Sequence, residues 1–306
     1  MELRLGINTC FAVKRWPLAT EWAALVRRRL GLGIVQHSFD LVDIDAVAAG
    51  TEDGVDDVRR ACDGERLELH STFTGLAAYS ANLLLHPLPA ARDRATRWFE
   101  TAIRYTARLG GVATGGHVGA FAVSDWERAD RRRERWGELQ ERLERLARTA
   151  RSDGLEYLMV ENLAAAREPS TLAMIRDLMT SGDESRVPIR LCLDVGHMCV
   201  PGTSGADRDP YAWLRELGRD APIVQLQQSD AEGDHHWPFT DHRNRTGRID
   251  ADRVIDALGE GGVDRSLLVL EIIPPFEQDD AGVVDDMVAS VDYWRAALER
   301  RGVAAD

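Results

Sequence analysis

Eight short apolar runs of strand length alternate along the whole chain with segments whose apolar residues recur every three or four positions. The runs are Leu3 to Asn8, Gly33 to Ser38, Leu67 to His70, a glycine-rich one ending at His117, Leu155 to Glu161, one ending at Asp194, one ending near Gln227, and Ser266 to Ile272. Helices are predicted between them: Trp16 to Leu30, Ile44 to Cys62 with Gly50 and Gly54 interrupting the pattern, Ala90 to Leu109 stopped by Gly110 and Gly111, and Trp126 to Ser152. Four more cover Ser170 to Met179, Pro210 to Gly218, Ala251 to Leu258 and Gly282 to Arg300. No linker and no internal repeat breaks the alternation. The pattern predicts an α/β protein with a single (β/α)8 TIM barrel, one domain over residues 1–306, a length that suits a barrel of about 250 residues or more. The rival is an open doubly wound sheet, which would carry a glycine-rich phosphate turn after an early strand. Gly31-Leu32-Gly33 precedes a strand instead and lacks the third glycine of that fingerprint.

Charge then narrows the partners. A formal net charge of −13 opposes binding to a polyanion, so no nucleic-acid partner is expected. The cluster Arg131-Arg132-Arg133-Glu134-Arg135 is interleaved with acids and reads as a solvated helix face. No apolar run approaches the roughly 18 residues of a membrane span, and Met1-Glu2-Leu3-Arg4 does not begin like a signal peptide, so a soluble, cytoplasmic protein without a membrane partner is expected. The four cysteines, Cys10, Cys62, Cys192 and Cys199, form no CxxC pair and read as reduced, mostly buried thiols. Self-association into a homo-oligomer is left open.

The chemistry lies in how the later strands end. Glu161, Asp194, Gln227 and Glu271 close runs five to eight, and in a parallel barrel those ends share one mouth. Any one of them could simply cap a turn. Three carboxylates brought together repel unless a cation sits among them, so the set predicts a divalent metal held by Glu161, Asp194, Gln227 and Glu271. All-oxygen ligation favours Mn2+, with Mg2+ or Co2+ as alternatives, over a tight zinc site. In run seven Gln225 and Gln227 share a face and Gln228 takes the other; Gln227 is preferred because it is nearer the end.

These residues also carry a resemblance. Leu193-Asp194-Val195-Gly196-His197, Val160-Glu161-Asn162, Leu270-Glu271 and Thr246-Gly247-Arg248-Ile249-Asp250 resemble the xylose isomerase-like barrels of the sugar phosphate isomerases and epimerases, over essentially the whole chain. The resemblance implies Glu161, Asp194 and Glu271 as metal ligands and His197 as a substrate contact. Gln227 stands where most members place a histidine. His70 and His117, at the ends of runs three and four, are read either as substrate contacts at the mouth or as hydrogen-bonded structural histidines. The loop Asp230-Ala231-Glu232-Gly233-Asp234-His235-His236-Trp237-Pro238-Phe239 is read either as a surface loop with an aromatic staple or as a lid. As a lid it would cover a polyol with Trp237 and reach its polar groups through His236 or Arg243. Phe73, Tyr79 and Asn82 are candidates for the opposite wall.

The expected activity is metal-dependent isomerisation or epimerisation of a small ketose, oxo-sugar or sugar acid through an enediolate, with Glu161 and Glu271 as acid and base. The alternative is a lyase of the same group, acting by decarboxylation or β-elimination. An endonuclease built on a three-metal cluster and a noncatalytic sugar-binding subunit are the readings from other classes; the acidic charge and Gln227 oppose the first, and the converging carboxylates the second.

Overall fold

The computed structural model describes residues 1–50 and 54–303. Eight parallel strands close in sequence order: β1 (Glu2–Asn8), β2 (Ile34–Ser38), β3 (Glu68–Phe73), β4 (Ala113–Gly116), β5 (Tyr157–Glu161), β6 (Ile189–Asp194), β7 (Ile223–Leu226) and β8 (Arg265–Leu270). The ring is sealed by β1 against β8, with Ile7 opposite Leu270. Around it lie α1 (Ala19–Arg28), α2 (Ile44–Ala49), α3 (Val55–Glu65), α4 (Pro89–Leu109), α5 (Val123–Trp126), α6 (Ala129–Ser152), α7 (Leu172–Leu178), α8 (Pro210–Leu217), α9 (Asp241–Thr246), α10 (Ala251–Glu260) and α11 (Asp280–Arg300). No helix among the described residues is long and apolar enough to cross a membrane.

Local chemistry explains the boundaries. Pro89 and Pro210 start α4 and α8, where the missing N–H has no partner to lose, and Gly110 closes α4 in the left-handed conformation. Asp209, Asp250 and Asp279 each cap a helix with a side-chain oxygen. The predicted helix from Ile44 to Cys62 is two helices, α2 ending at Gly50 with φ 69°, and α3; residues 51–53 of that prediction lie outside the described residues. In β4, Gly115 and Gly116 have φ of 141° and 125°, and a Cβ on Gly115 would run into the Met159 carbonyl of β5. The strand can pass only as glycine.

The strand alternation builds the interior. Tyr157 and Met159 of β5, Cys192 of β6, Ile223 of β7, and Leu267 and Val269 of β8 pack inside the barrel with Ile34, Phe73 and Ala113. The intervening residues, such as Leu191, Leu193, Val224 and Leu268, pack outward against the helices. All four cysteines are buried and free.

Candidate active site

Continuing the inward period by one step puts a polar group atop each inward-facing column. Met159 is followed by Glu161, Cys192 by Asp194, Gln225 by Gln227 and Val269 by Glu271, so the barrel core ends in a polar floor at the C-terminal mouth. Glu161, Asp194 and Glu271 are buried, and one carboxylate oxygen of each lies within 4.8 Å of the others.

Neighbours fix Glu161 and Glu271 by one oxygen each and Asp194 by both. Glu271 Oε1 accepts from Asn8 Nδ2 at 3.2 Å and Gln225 Nε2 at 3.1 Å, and both amides also donate to Gln36 Oε1. Glu161 Oε1 accepts from the Tyr79 hydroxyl at 2.8 Å. Asp194 Oδ1 accepts from the Gly196 N–H at 2.6 Å, and its backbone is clamped from both sides by the Asn162 amide. Glu161 Oε2 and Glu271 Oε2 are left buried with no hydrogen-bond partner. Two orphaned carboxylate oxygens beside a third acid are what a divalent cation would satisfy, and an all-oxygen donor set suits a hard ion. Glu161, Asp194 and Glu271 therefore fit a metal. Without it, burial pushes the Glu161 carboxyl up against the opposing pull of His197, burial together with Glu161 and Asp194 pushes Glu271 well above the usual range, and burial beside these acids does the same to the Tyr79 phenol.

Gln227 lies beside the acids with its amide engaged on both sides. Its Oε1 accepts the His236 N–H at 2.6 Å, which directs Nε2 toward Asp194 Oδ1 at 3.1 Å and Asp234 Oδ1 at 2.9 Å. In this orientation Gln227 donates hydrogen bonds to the acids; ligation through its carbonyl would require the amide turned over. Gln225 supports Glu271 from the layer below, and Gln228 pairs with Asn244 on the opposite face.

Three of the four histidines named from the sequence reach the mouth. His197 lies between Glu161 and Asp234, with Nδ1 2.7 Å from the Asn162 carbonyl. Burial alone would lower its pKa, yet Asp194, Asp234 and Glu161 together hold it well above the ordinary histidine value. His117 stacks parallel to Tyr79 at 5.1 Å, and burial depresses it to about 4, which keeps it neutral. His236 points inward toward Asp234 and Glu271. His70 does not reach the mouth: β3 runs on to Phe73, which leaves His70 low in the barrel facing Glu68, Arg4 and Arg265.

The β7 loop is a closed hairpin rather than an open strap. Gln228 and Trp237 exchange backbone hydrogen bonds of 2.8 and 3.0 Å, Ser229 Oγ donates to the Gly233 carbonyl, and Asp230 Oδ1 gathers the N–H groups of Glu232 and Gly233 together with the His235 ring. Trp237 stacks on His235 at 3.9 Å and lies under the Arg243 guanidinium at 4.1 Å, so Trp237 and Arg243 form a rim stack and do not join the carboxylates. On the opposite side Tyr79 enters the site, whereas Phe73 belongs to the apolar core and Asn82 braces the Ala120 carbonyl. Asn8 and Gln36 were not singled out from the sequence, although Asn8, a polar residue at a strand end like the acids, had a readable signal. Asn162 appears there only within its strand-end motif, and Asp234 only within its loop and as part of an Asp-x-His that an endonuclease cluster would use.

The profile of the xylose isomerase-like TIM barrel family matches residues 27–296. The chain belongs to that family. Within it, the chain is 27% identical over 311 residues to the D-erythrulose 1-phosphate 3-epimerase of Brucella abortus (strain 2308), covering 98% of this chain and 97% of that one. A crystal structure from Rhodospirillum rubrum ATCC 11170, provisionally named a xylose isomerase, superimposes with a TM-score of 0.88 at 32% identity over 96% of this chain and 99% of the other. The D-psicose 3-epimerase of Clostridium cellulolyticum H10, solved with D-tagatose, shares the fold with a TM-score of 0.67 at 15% identity over 97% and 99% of the two chains. This xylose isomerase-like barrel thus carries its acids at the strand ends on which the alternation of its own sequence places them.

Proposed function

We propose that this protein is a divalent-metal-dependent 3-epimerase of small ketoses, with a tetrulose phosphate as the first substrate to test. The observation that carries the reading is the pair Glu161 and Glu271, from β5 and β8, each fixed by Oε1 and each presenting a free, buried Oε2 to the same space. The curated relative, named for a 3-epimerase of a tetrulose phosphate, supports the choice of reaction and substrate.

Epimerisation beside a carbonyl needs a base on one face of the carbon and an acid on the other. One glutamate takes the C3 proton, and the C–H electron pair moves into the adjacent carbonyl to give an enediolate. The second glutamate, protonated at the start, returns its proton to C3 from the opposite face, and exchange of the roles runs the reaction backward. A hard divalent cation bound by Glu161, Asp194 and Glu271 would supply Lewis-acid stabilisation of the developing negative charge. Tyr79 holds Glu161 in place and, with His117 stacked beneath it, walls the site; Asn8 and Gln225 hold Glu271. His197, between Glu161 and Asp234, is placed to contact a substrate oxygen.

The test is proton NMR of ketoses and ketose 1-phosphates with Mn2+-activated protein in deuterated buffer, the metal being removed before the spectra are recorded. A second epimer carrying deuterium at C3 is expected. Label at C2 with the carbonyl moved along the chain would make the enzyme an isomerase, and loss of a substituent or CO2 would make it a lyase.

A further inference from the structure

Among the 38 lysine and arginine residues of the chain, Lys14 is the single lysine. It stands on the loop between β1 and α1 at φ 64°, a left-handed conformation that costs energy for a residue with a Cβ. The loop backbone holds it there, because the N–H groups of Arg15 and Trp16 both donate to the Ala12 carbonyl, at 3.0 and 2.9 Å. Strain kept in place by its surroundings marks a position whose side chain has to point one way.

Side chains on both flanks tie this loop to the one after β8. Cys10 Sγ is 3.5 Å from the Ile272 carbonyl, Arg15 donates to the Pro275 carbonyl at 2.8 Å, and the Arg15 guanidinium pairs with Asp280. Between them the Lys14 ammonium lies over the Phe276 ring, 3.9 Å from its centre, and Phe276 is 49% exposed. A cation resting on the open face of a ring is held in position while its hydrogens stay available. Asn8 and Glu271, which share a hydrogen bond, lie at the ends of the two strands from which these loops grow, so the ammonium stands on the rim beside Glu271.

Arg167, Arg208 and Arg248, on other loops of the mouth, each donate to a backbone carbonyl, and Arg243 covers Trp237 with its plane. Among the described residues no carboxylate pairs with Lys14. In a chain of net charge −13, whose mouth holds Glu161, Asp194, Asp234 and Glu271, an unpaired ammonium at the rim answers an anion brought in from outside. A compact point charge with three donors suits the oxygens of a phosphate monoester.

We propose that Lys14 reads the phosphate of the substrate and so sets a preference for a ketose phosphate over the free ketose. The inference rests on the 3-epimerase reading for its substrate class. With C3 of a tetrulose 1-phosphate between the two glutamates, the phosphate on C1 extends to the β1–β8 rim and meets the ammonium there.

Two readouts separate this residue from the reaction. Because Lys14 is the sole lysine, an amine-directed acetylating reagent marks only Lys14 and the N-terminal amine, which lies at the opposite end of β1 and serves as an internal control. On Mn2+-loaded protein, dihydroxyacetone phosphate should slow acetylation of Lys14 several-fold, read by peptide mass spectrometry, and leave the N-terminal amine unchanged; dihydroxyacetone at the same concentration should protect neither. In kinetics, Lys14→Gln should lower the ratio of kcat/KM for the tetrulose 1-phosphate to that for the free tetrulose by roughly 10- to 100-fold, chiefly through KM, as expected on loss of a charge-assisted contact. Lys14→Arg should restore most of the ratio. An unchanged ratio in a Lys14→Gln protein that is folded by circular dichroism, or a ratio lost in Arg243→Gln instead, overturns the role of Lys14 and leaves the epimerase reading standing; so does acetylation of Lys14 at the same rate with and without the ketose phosphate. Protection of Lys14 without turnover of either tetrulose keeps the phosphate site and overturns the epimerase reading.

Discussion

Glu161 and Glu271 make a prediction that separates two opposed bases from one. In Glu161→Gln or Glu271→Gln the remaining glutamate can still remove a proton from one epimer and return it to the same face. Net epimerisation should fall by roughly 10²-fold or more, while solvent deuterium still enters one of the two epimers. Equal loss of exchange from both epimers in both variants would contradict the pairing. The same residues set a pH signature for metal binding. Their folded-state affinity for protons is raised by burial and by neighbouring acids, so the metal-free fold is favoured while they are protonated and loses stability as pH rises above the usual carboxylate range. The rise in Tm on adding Mn2+ should therefore be larger at pH 8 than at pH 5.5; scanning fluorimetry at the two values checks it, and a larger rise at pH 5.5 would contradict it. The acids themselves were legible because period 2 carries Met159 to Glu161 and Val269 to Glu271. The direction of the Gln227 amide was not, since it depends on the His236 N–H, nine residues away and brought back only by the hairpin.

At the level of the element, the β7 hairpin is closed by its own hydrogen bonds and by the stack of His235, Trp237 and Arg243. That stack is at the rim, so its effect on chemistry passes through the position of His236 and Asp234. Trp237→Ala should raise KM several-fold and lower kcat by no more than about tenfold, through looser orientation of the substrate. A loss of kcat as large as that of Glu271→Gln at unchanged KM would place the tryptophan in the chemistry. The loop was recognisable from its composition, but its pairing of Gln228 with Trp237 and its inward turn at His236 arise from a positive φ that no pattern of residue types announces. His70 shows the reverse: the sequence pattern ended β3 three residues early, because Ser71, Thr72 and Phe73 continue the strand without an apolar run.

For the whole molecule, the closed barrel followed from the alternation of runs, and packing α1 against the strands buries polar residues, His37 among them. It sits inside β2 against Trp22, and burial lowers it from 6.5 to about 4, so the folded protein keeps it neutral where the unfolded chain takes up a proton. Its contribution is complete above pH 6.5 and is lost as pH falls toward 4, amounting to about 3 kcal/mol. Denaturant melts of wild type and His37→Gln across that interval should show a shallower slope for the variant; parallel slopes would contradict the assignment. The central claim is that the ends of β5, β6 and β8 form one divalent-cation centre. The direct measurement is the metal content of wild type and Asp194→Ala after saturation with Mn2+ and desalting, with circular dichroism confirming the fold of each. Wild type is predicted to retain Mn2+ and Asp194→Ala to retain none; full occupancy in a folded Asp194→Ala would contradict the account.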